Sequence, residues 1–62
     1  MKLRQLTVED VRTEIGEIVK QGIDGTLEEH FPVTRHGKVG AVIIPIAEYR
    51  RLRKKDGNPT EL

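Results

Sequence analysis

The chain lacks several residue types on which common sites depend. Its 62 residues include no cysteine, no serine and no tryptophan, and only one phenylalanine and one tyrosine. Without cysteine there is no disulfide and no thiolate zinc site, and two histidines cannot hold a structural metal without carboxylates. Without serine or cysteine the commonest catalytic nucleophiles are missing as well. We therefore expect a protein that is not an enzyme and that uses neither a cofactor nor a metal.

Long hydrophobic runs are also missing. The longest uninterrupted one covers residues 41–44, whereas a membrane-spanning helix needs about 20 apolar residues. The first residues lack the apolar segment of a signal peptide. These observations predict a cytoplasmic protein without a membrane-spanning segment.

The small size of the chain limits its hydrophobic core. A domain of this length buries only about 60% of the surface of its unfolded chain. Small domains often gain the missing stability from disulfides, a metal or a partner subunit. Because the first two are excluded, we expect a homodimer.

Charge is unevenly divided along the sequence, although the net charge is only +1. Residues 1–31 contain four basic and seven acidic side chains, whereas residues 32–62 contain seven basic and three acidic ones. The basic half suggests an anionic partner. A solvated helix and hairpin tip would give the same asymmetry, so charge alone leaves both interpretations open.

The N-terminal half predicts a short edge strand over residues 1–6 followed by an amphipathic helix over residues 8–21. Thr7 is a suitable N-cap, and Asp10 stands where a capping box usually has Glu or Gln. Glycines at positions 22 and 25 are expected to end the helix, and residues 26–30 to form one further helical turn. Apolar residues recur at helical spacing on one face. They are Val11, Ile15, Ile18, Val19 and Gly22.

The C-terminal half predicts a hairpin and a second helix. Residues 31–35 and 38–44 read as strands, and His36-Gly37 between them suits a two-residue turn. Alternation places residues 39, 41 and 43 on one face and residues 42 and 44 on the other. Both faces of this strand are apolar, which again favours a dimer. Pro45 should end the strand, residues 46–53 should form a helix, and residues 54–62 should be a disordered tail.

Together these elements predict an α+β fold with one domain over residues 1–53. Two stretches of it follow a known pattern. Residues 7–15 read Thr-Val-Glu-Asp-Val-Arg-Thr-Glu-Ile, and residues 32–49 contain the tip Thr-Arg-His-Gly-Lys and, on the next helix, the pair Glu-Tyr. With the spacing between them, they resemble the Phd/YefM family of antitoxins over roughly residues 2–53. The chain departs from that family in a longer connector at residues 22–31 and in having only nine residues after Arg53.

The resemblance implies a two-fold dimer of strand-helix-hairpin-helix units with a shared core. It implies a type II antitoxin that represses its own operon by binding a palindromic operator. It also implies that the antitoxin neutralises a cognate toxin, of a Doc-like or RelE-like kind, through its C-terminal segment. Two alternatives remain open: an interaction module that does not bind DNA, and a shortened repressor that does not neutralise a toxin.

The resemblance also assigns residues to DNA binding. Arg12 matches the family's DNA-contacting arginine, although a surface ion pair with Glu9 would also explain it. Arg35 and Lys38 should face each other across the hairpin, where like charges are unfavourable unless they serve a ligand such as phosphate. Both side chains could instead extend into solvent. The predicted DNA-binding residues are Thr7, Arg12, Arg35, His36 and Lys38.

Three further groups complete the predicted sites. The residues expected in the dimer interface or core are Val11, Ile15, Ile18, Val39, Val42, Ile43 and Ile44. The residues expected to contact a toxin are Tyr49, Leu52, Arg53 and Leu62, although the position of Tyr49 on the apolar face favours a core role over a functional one. The basic residues Arg50, Arg51, Arg53, Lys54 and Lys55 could follow a phosphate backbone, but a solvated helix face explains them equally well. His30 with Glu28 and Glu29 is rejected as a metal site, because adjacent residues on a turn do not converge.

Overall fold

The structure is a computed structural model and describes residues 2–57. Its elements are β1 (Lys2–Leu3), β2 (Leu6–Thr7), α1 (Val8–Asp24), β3 (Glu29–Arg35), β4 (Lys38–Ile43) and α2 (Ile46–Lys55). The predicted α+β class is confirmed. Neither helix within residues 2–57 is long and apolar enough to cross a membrane.

Strand β3 is the centre of the sheet. β1 and β2 pair with it in parallel, with Lys2 beside Glu29 and Leu6 beside Val33. β4 pairs with it in the antiparallel direction. The predicted edge strand over residues 1–6 is therefore wrong in detail, because Arg4 and Gln5 separate two short strands and the second strand includes Thr7.

The predicted two-residue turn between β3 and β4 is confirmed. His36 and Gly37 have φ angles of 53° and 77°. Positive φ at both central residues is the geometry of a type I′ turn, whose twist matches that of the flanking strands. The turn places Arg35 directly opposite Lys38.

A bulge interrupts β4, and it changes the predicted faces. Val33 pairs with Ala41 but Thr34 pairs with Val39, so β4 has one extra residue, Gly40, between these two pairs. An extra residue breaks the alternation of side chains. Because Val33 and Thr34 are neighbours and point to opposite faces of β3, their partners Ala41 and Val39 do as well. The prediction that Val39 shares a face with residues 41 and 43 is therefore wrong. The strand limits also differ from expectation, since β3 begins at Glu29 and β4 ends at Ile43.

Helix α1 begins where the sequence indicates but ends later. The Thr7 hydroxyl accepts the Asp10 N–H at 3.1 Å, and the Asp10 carboxylate accepts the Thr7 N–H at 3.0 Å, so aspartate completes the capping box. The helix continues through Gly22 to Asp24 and stops at Gly25, which has a left-handed φ of 78°. The predicted end at residue 21 is wrong, since a single glycine inside a helix costs only about 1 kcal/mol.

The predicted helical turn over residues 26–30 is also wrong. Residues 26–28 have no regular structure, and Glu29 and His30 begin β3. They are extended because they pair with Lys2 and Leu3 of β1. A partner strand from the other end of the chain outweighs a local helical preference here.

The hydrophobic core is small. Leu6, Ile18 and Phe31 are buried, and Val11, Leu27 and Ile43 pack against them. Of the residues predicted for the dimer interface or core, Ile18 belongs to the core of the chain, Val11 and Ile43 border it, and Ile44 is half-buried. The remaining ones are exposed in the single chain, so for them only the dimer interface stays as a prediction. They are Ile15, Val39 and Val42.

Helix α2 follows Pro45, as predicted, but extends two residues beyond position 53. Pro45 provides no side-chain cap, and no residue of the helix is buried. Lys54 and Lys55, expected in a disordered tail, form its last turn, where positive charge interacts favourably with the helix dipole. Residues 58–62 of that predicted tail lie outside the described residues.

Candidate nucleic-acid interface

The start of α1 and the tip of the hairpin meet at one open groove. Its lining includes four of the five residues predicted to bind DNA: Thr7, Arg12, Arg35 and His36. The other lining residues are Val8, Glu9, Thr34 and Gly37. Lys38, the fifth predicted residue, lies opposite Arg35 on the hairpin but outside the lining.

The sheet is what brings these two parts of the chain together. In the parallel pairing of β2 with β3, Thr7 lies beside Thr34. The buried Thr34 hydroxyl donates a hydrogen bond to the Leu6 carbonyl at 3.4 Å. Since Thr7 is also the N-cap of α1, the helix begins directly beside the hairpin. Arg12, in the second turn of the helix, then reaches the same groove as Arg35.

Arg12 forms the ion pair that was considered as its alternative role. Its Nη1 lies 3.0 Å from Glu9 Oε1, and about three quarters of each side chain is exposed (72% and 77%). An exposed pair at this spacing contributes less than about 1 kcal/mol. The guanidinium can therefore exchange Glu9 for a phosphate or a base at little cost, so the observed pair does not conflict with a binding role.

Two carboxylates stand near the arginines, and both have partners. Asp10 accepts hydrogen bonds from the backbone and the hydroxyl of Thr7, and these bonds hold its pKa below the ordinary value. Glu9 is paired with Arg12. The negative charge of the first helical turn is thus engaged in capping and in an exchangeable ion pair.

The hairpin tip presents positive charge without neutralisation. Arg35 and Lys38 are both exposed and lie opposite each other. Within residues 2–57, neither of them forms a salt bridge with a carboxylate. Like charges in this position destabilise a hairpin. The arrangement leaves two cations available to an anionic ligand.

The residues predicted to contact a toxin form a separate surface on α2. Tyr49 is half-buried, and the Arg53 guanidinium lies 6.0 Å from the centre of its ring. Leu52 is exposed. Arg51 pairs with Glu48, and this hydrogen bond lowers the pKa of Glu48. No residue of α2 lines the groove, and Leu62 lies outside the described residues.

Arg4 has a structural role that the sequence did not reveal. Its guanidinium forms an ion pair with Glu14 and lies 5.5 Å from the centre of the Phe31 ring. The hydrogen bond to Glu14 raises the pKa of Arg4. Arg4 thus covers the core beside the N-terminal strands. Residues ten positions apart on different elements carry no periodic signal, so only the fold shows this contact. Thr34 was missed as a lining residue for the same reason.

The structure and comparisons with known proteins add two negative findings. Within residues 2–57, no group of three or more His, Asp or Glu side chains is arranged to hold a metal ion. No family model matches the chain, and neither the curated proteins nor the solved structures contain a significant match.

Proposed function

We propose that this protein is the antitoxin of a type II toxin–antitoxin pair. It acts as a dimer that binds palindromic operator DNA and represses its own operon, and it neutralises a partner toxin by protein binding. The sequence resemblance to the Phd/YefM antitoxins, including their dimeric fold, is the origin of this proposal, and the geometry of the groove supports it.

The observation that carries the proposal is the convergence of two distant segments on one groove. Arg12 and Arg35 are separated by more than twenty positions in the sequence, and both line the groove. A helix start and a hairpin tip together present side chains that can reach phosphates and base edges. The unneutralised charge at this tip favours an anionic ligand over a partner bound through apolar contacts alone.

The exposed apolar residues support the dimeric state. Ile15, Val19 and Ile23 are apolar side chains that the single chain leaves in contact with water. A second copy related by a two-fold axis would bind a site with two-fold sequence symmetry. This is why we expect a palindromic operator.

The first test is a gel shift with the DNA upstream of the protein's own gene. Replacing Arg12→Ala should weaken binding about tenfold or more, as expected for loss of a contact to a base or a well-placed phosphate. Lys20→Ala is the matched control, since Lys20 is an exposed cation on the same helix but outside the groove. Equal affinity of the Arg12 variant and wild type, with both folded, would refute the role of Arg12.

The hairpin tip offers a second test with two readouts of opposite sign. Lys38→Glu places opposite charges across from each other at Arg35 and should stabilise the fold by about 0.2–1 kcal/mol. The same change should weaken operator binding and reduce its dependence on salt, because a phosphate contact is lost. Thermal unfolding and a salt series of gel shifts measure the two effects. A more stable variant that binds DNA as well as wild type would exclude Lys38 from the interface.

Neutralisation of a toxin is the part of the proposal that depends on α2. No residue of this helix is fully buried in the single chain, so the exposed parts of Tyr49, Leu52 and Arg53 can contribute to an interface with a Doc-like or RelE-like protein. The product of the neighbouring gene should be captured by the full chain and lost when the chain ends at Leu52. Equal capture by both forms would rule out the C-terminal segment as the binding element. No capture by either would leave a repressor that does not neutralise a toxin.

A further inference from the structure

Three exposed apolar side chains form a stripe along α1. Ile15, Val19 and Ile23 recur every four residues, and they are 41%, 51% and 78% exposed. Residues at this spacing lie along one side of a helix. The stripe borders the face that carries Ile18 into the core, so α1 is apolar over a wider arc than its own chain covers.

The stripe continues into an apolar groove between the C-terminal half of α1 and the start of α2. Val19 and Ile23 belong to its lining together with Ile44, Ile46 and Ala47. Stripe and groove therefore form one continuous apolar surface. A contiguous surface of this kind usually marks a contact with another protein.

A second apolar surface lies on β4, but this strand is poorly suited to pairing. Val39 and Val42 are each more than half exposed. However, the bulge at Gly40 twists the free edge, and the strand begins with Lys38 at the charged tip. Bulges and edge lysines are the features by which proteins prevent edge strands from pairing. The bulge and Lys38 therefore disfavour β4 as the surface that pairs with another chain, which leaves the apolar surface of α1 as the contact surface.

We propose that the α1 stripe is the dimer interface, in which the α1 helices of two copies pack antiparallel with Val19 on the two-fold axis. The stripe is self-complementary in this arrangement, because Ile15 of one copy lies opposite Ile23 of the other. A two-fold interface requires such self-complementarity. This inference rests on the dimeric state in the proposed function and adds its location.

We assign a second copy of the chain as the partner on this surface, because the chain needs this apolar surface covered in order to fold. Only three apolar side chains are buried within residues 2–57. A core of this size is too small for a chain that has no disulfide, and subunit association is the usual compensation. Another copy is present wherever the chain is made, whereas an unrelated partner would leave the chain unfolded in its absence.

The arrangement also places the two DNA-binding grooves at opposite ends of the helix pair. Thr7, at the start of α1, precedes Val19 by twelve positions, which corresponds to about 18 Å along a helix. The two grooves are then roughly 36 Å apart, close to the length of one turn of B-DNA. The paired helices would thus set the spacing of the operator half-sites at about one turn.

The absence of cysteine from the chain permits a direct test. Helices that pack about 8–10 Å apart bring facing Cα atoms to within the distance that a disulfide bridges. Val19→Cys should therefore form a covalent dimer rapidly on mild oxidation. Val42→Cys on β4 is the matched control, because its side chain is 53% exposed and Val19 is 51% exposed. Far-UV circular dichroism confirms that both variants fold, and a gel shift follows operator binding by each.

The outcomes separate this inference from the proposed function. Rapid cross-linking of the Val19 variant alone supports the α1 interface. Cross-linking of the Val42 variant alone, of both at the same slow rate, or of neither would overturn it. In each of those cases, operator binding by the uncross-linked protein would show that the proposed DNA-binding role still holds and that only the location of the interface is wrong.

Discussion

The two helices of this protein both begin where the local sequence indicates, yet they are attached to the fold very differently. α1 begins at a capping box, ends at a left-handed glycine, and inserts Ile18 into the core. α2 begins after Pro45 without a side-chain cap and has no buried residue. Among the helices and strands within residues 2–57, α2 contacts only α1.

This difference shows that the local signals that start a helix do not determine how strongly the helix is attached to the rest of the fold. An isolated helix of ten residues is marginal in water. α2 is supported by the Glu48–Arg51 pair, by basic residues in its last turn and by its contact with α1. α1 is therefore anchored in the core by a buried side chain, whereas α2 is held mainly through its contact with α1.

The largest expected effect comes from a comparison in which one apolar side chain in each helix is replaced by alanine. Ile18→Ala should destabilise the protein by about 2–5 kcal/mol, because it leaves a cavity in a core of three buried side chains. Leu52→Ala should cost less than about 1 kcal/mol, because Leu52 is 40% exposed. Urea unfolding followed by circular dichroism measures both. A comparable loss in the Leu52 variant would mean that α2 is held more firmly than the single chain shows.

The next effect concerns the cap that distinguishes α1 from α2. Thr7→Ala removes the side-chain acceptor of the capping box and should cost about 0.5–2 kcal/mol. Thr13→Ala is the control within the same helix, since the Thr13 hydroxyl only donates back to the Glu9 carbonyl. It should be neutral or slightly stabilising, because alanine favours helix interiors. In thermal unfolding, Thr7→Ala should therefore have a lower melting temperature than wild type, and Thr13→Ala a melting temperature equal to or slightly above that of wild type. Equal destabilisation by both would argue against a special role for the cap.

The smallest effect is in the acid range, where each helix has one carboxylate with a lowered pKa. Thr7 lowers the pKa of Asp10 through hydrogen bonds, and Arg51 lowers the pKa of Glu48. A lowered pKa stabilises the folded state above the ordinary carboxylate pKa of about 4, and this stabilisation is lost as the pH falls through the folded value. Asp10→Asn and Glu48→Gln should each reduce the loss of stability on acidification.

Salt distinguishes the two carboxylates. Concentrated salt of about 1 M screens an exposed ion pair strongly, so the effect of Glu48→Gln should fade. The effect of Asp10→Asn should persist, because its partner is a backbone N–H within a local cap. Melting temperatures at neutral and acidic pH, each at low and high salt, provide the comparison. If both effects faded equally, the Asp10 contribution would be electrostatic in origin rather than a cap.

Much of the fold was predictable because its signals are local. The start of α1 at Thr7, the turn at His36-Gly37 and the start of α2 after Pro45 each depend on residues within one turn of the chain. The errors in the strands involve distant partners. Residues 26–30 look helical by themselves but extend because β1 pairs with them. Gly40 inside the second strand is compatible with a bulge, but whether one forms there depends on the register between two strands.

The candidate site shows the same division. Arg12, Arg35 and His36 could be selected from the sequence because they match a known pattern. Their meeting in one groove depends on the parallel pairing of Thr7 with Thr34, which joins segments nearly thirty residues apart. The contact of Arg4 with Glu14 and Phe31 depends on the fold in the same way.

The sequence by itself determined the absence of disulfides and thiolate metal sites, the positions of caps and turns, and the uneven distribution of charge, since each follows from residue type and short-range geometry. Only the tertiary structure decided which apolar residues are buried. It placed Leu6, Ile18 and Phe31 in the core and left the stripe of α1 exposed. The physical reason is that a side chain becomes buried only when another segment covers it, and the covering segments come from distant parts of the chain or from a second copy.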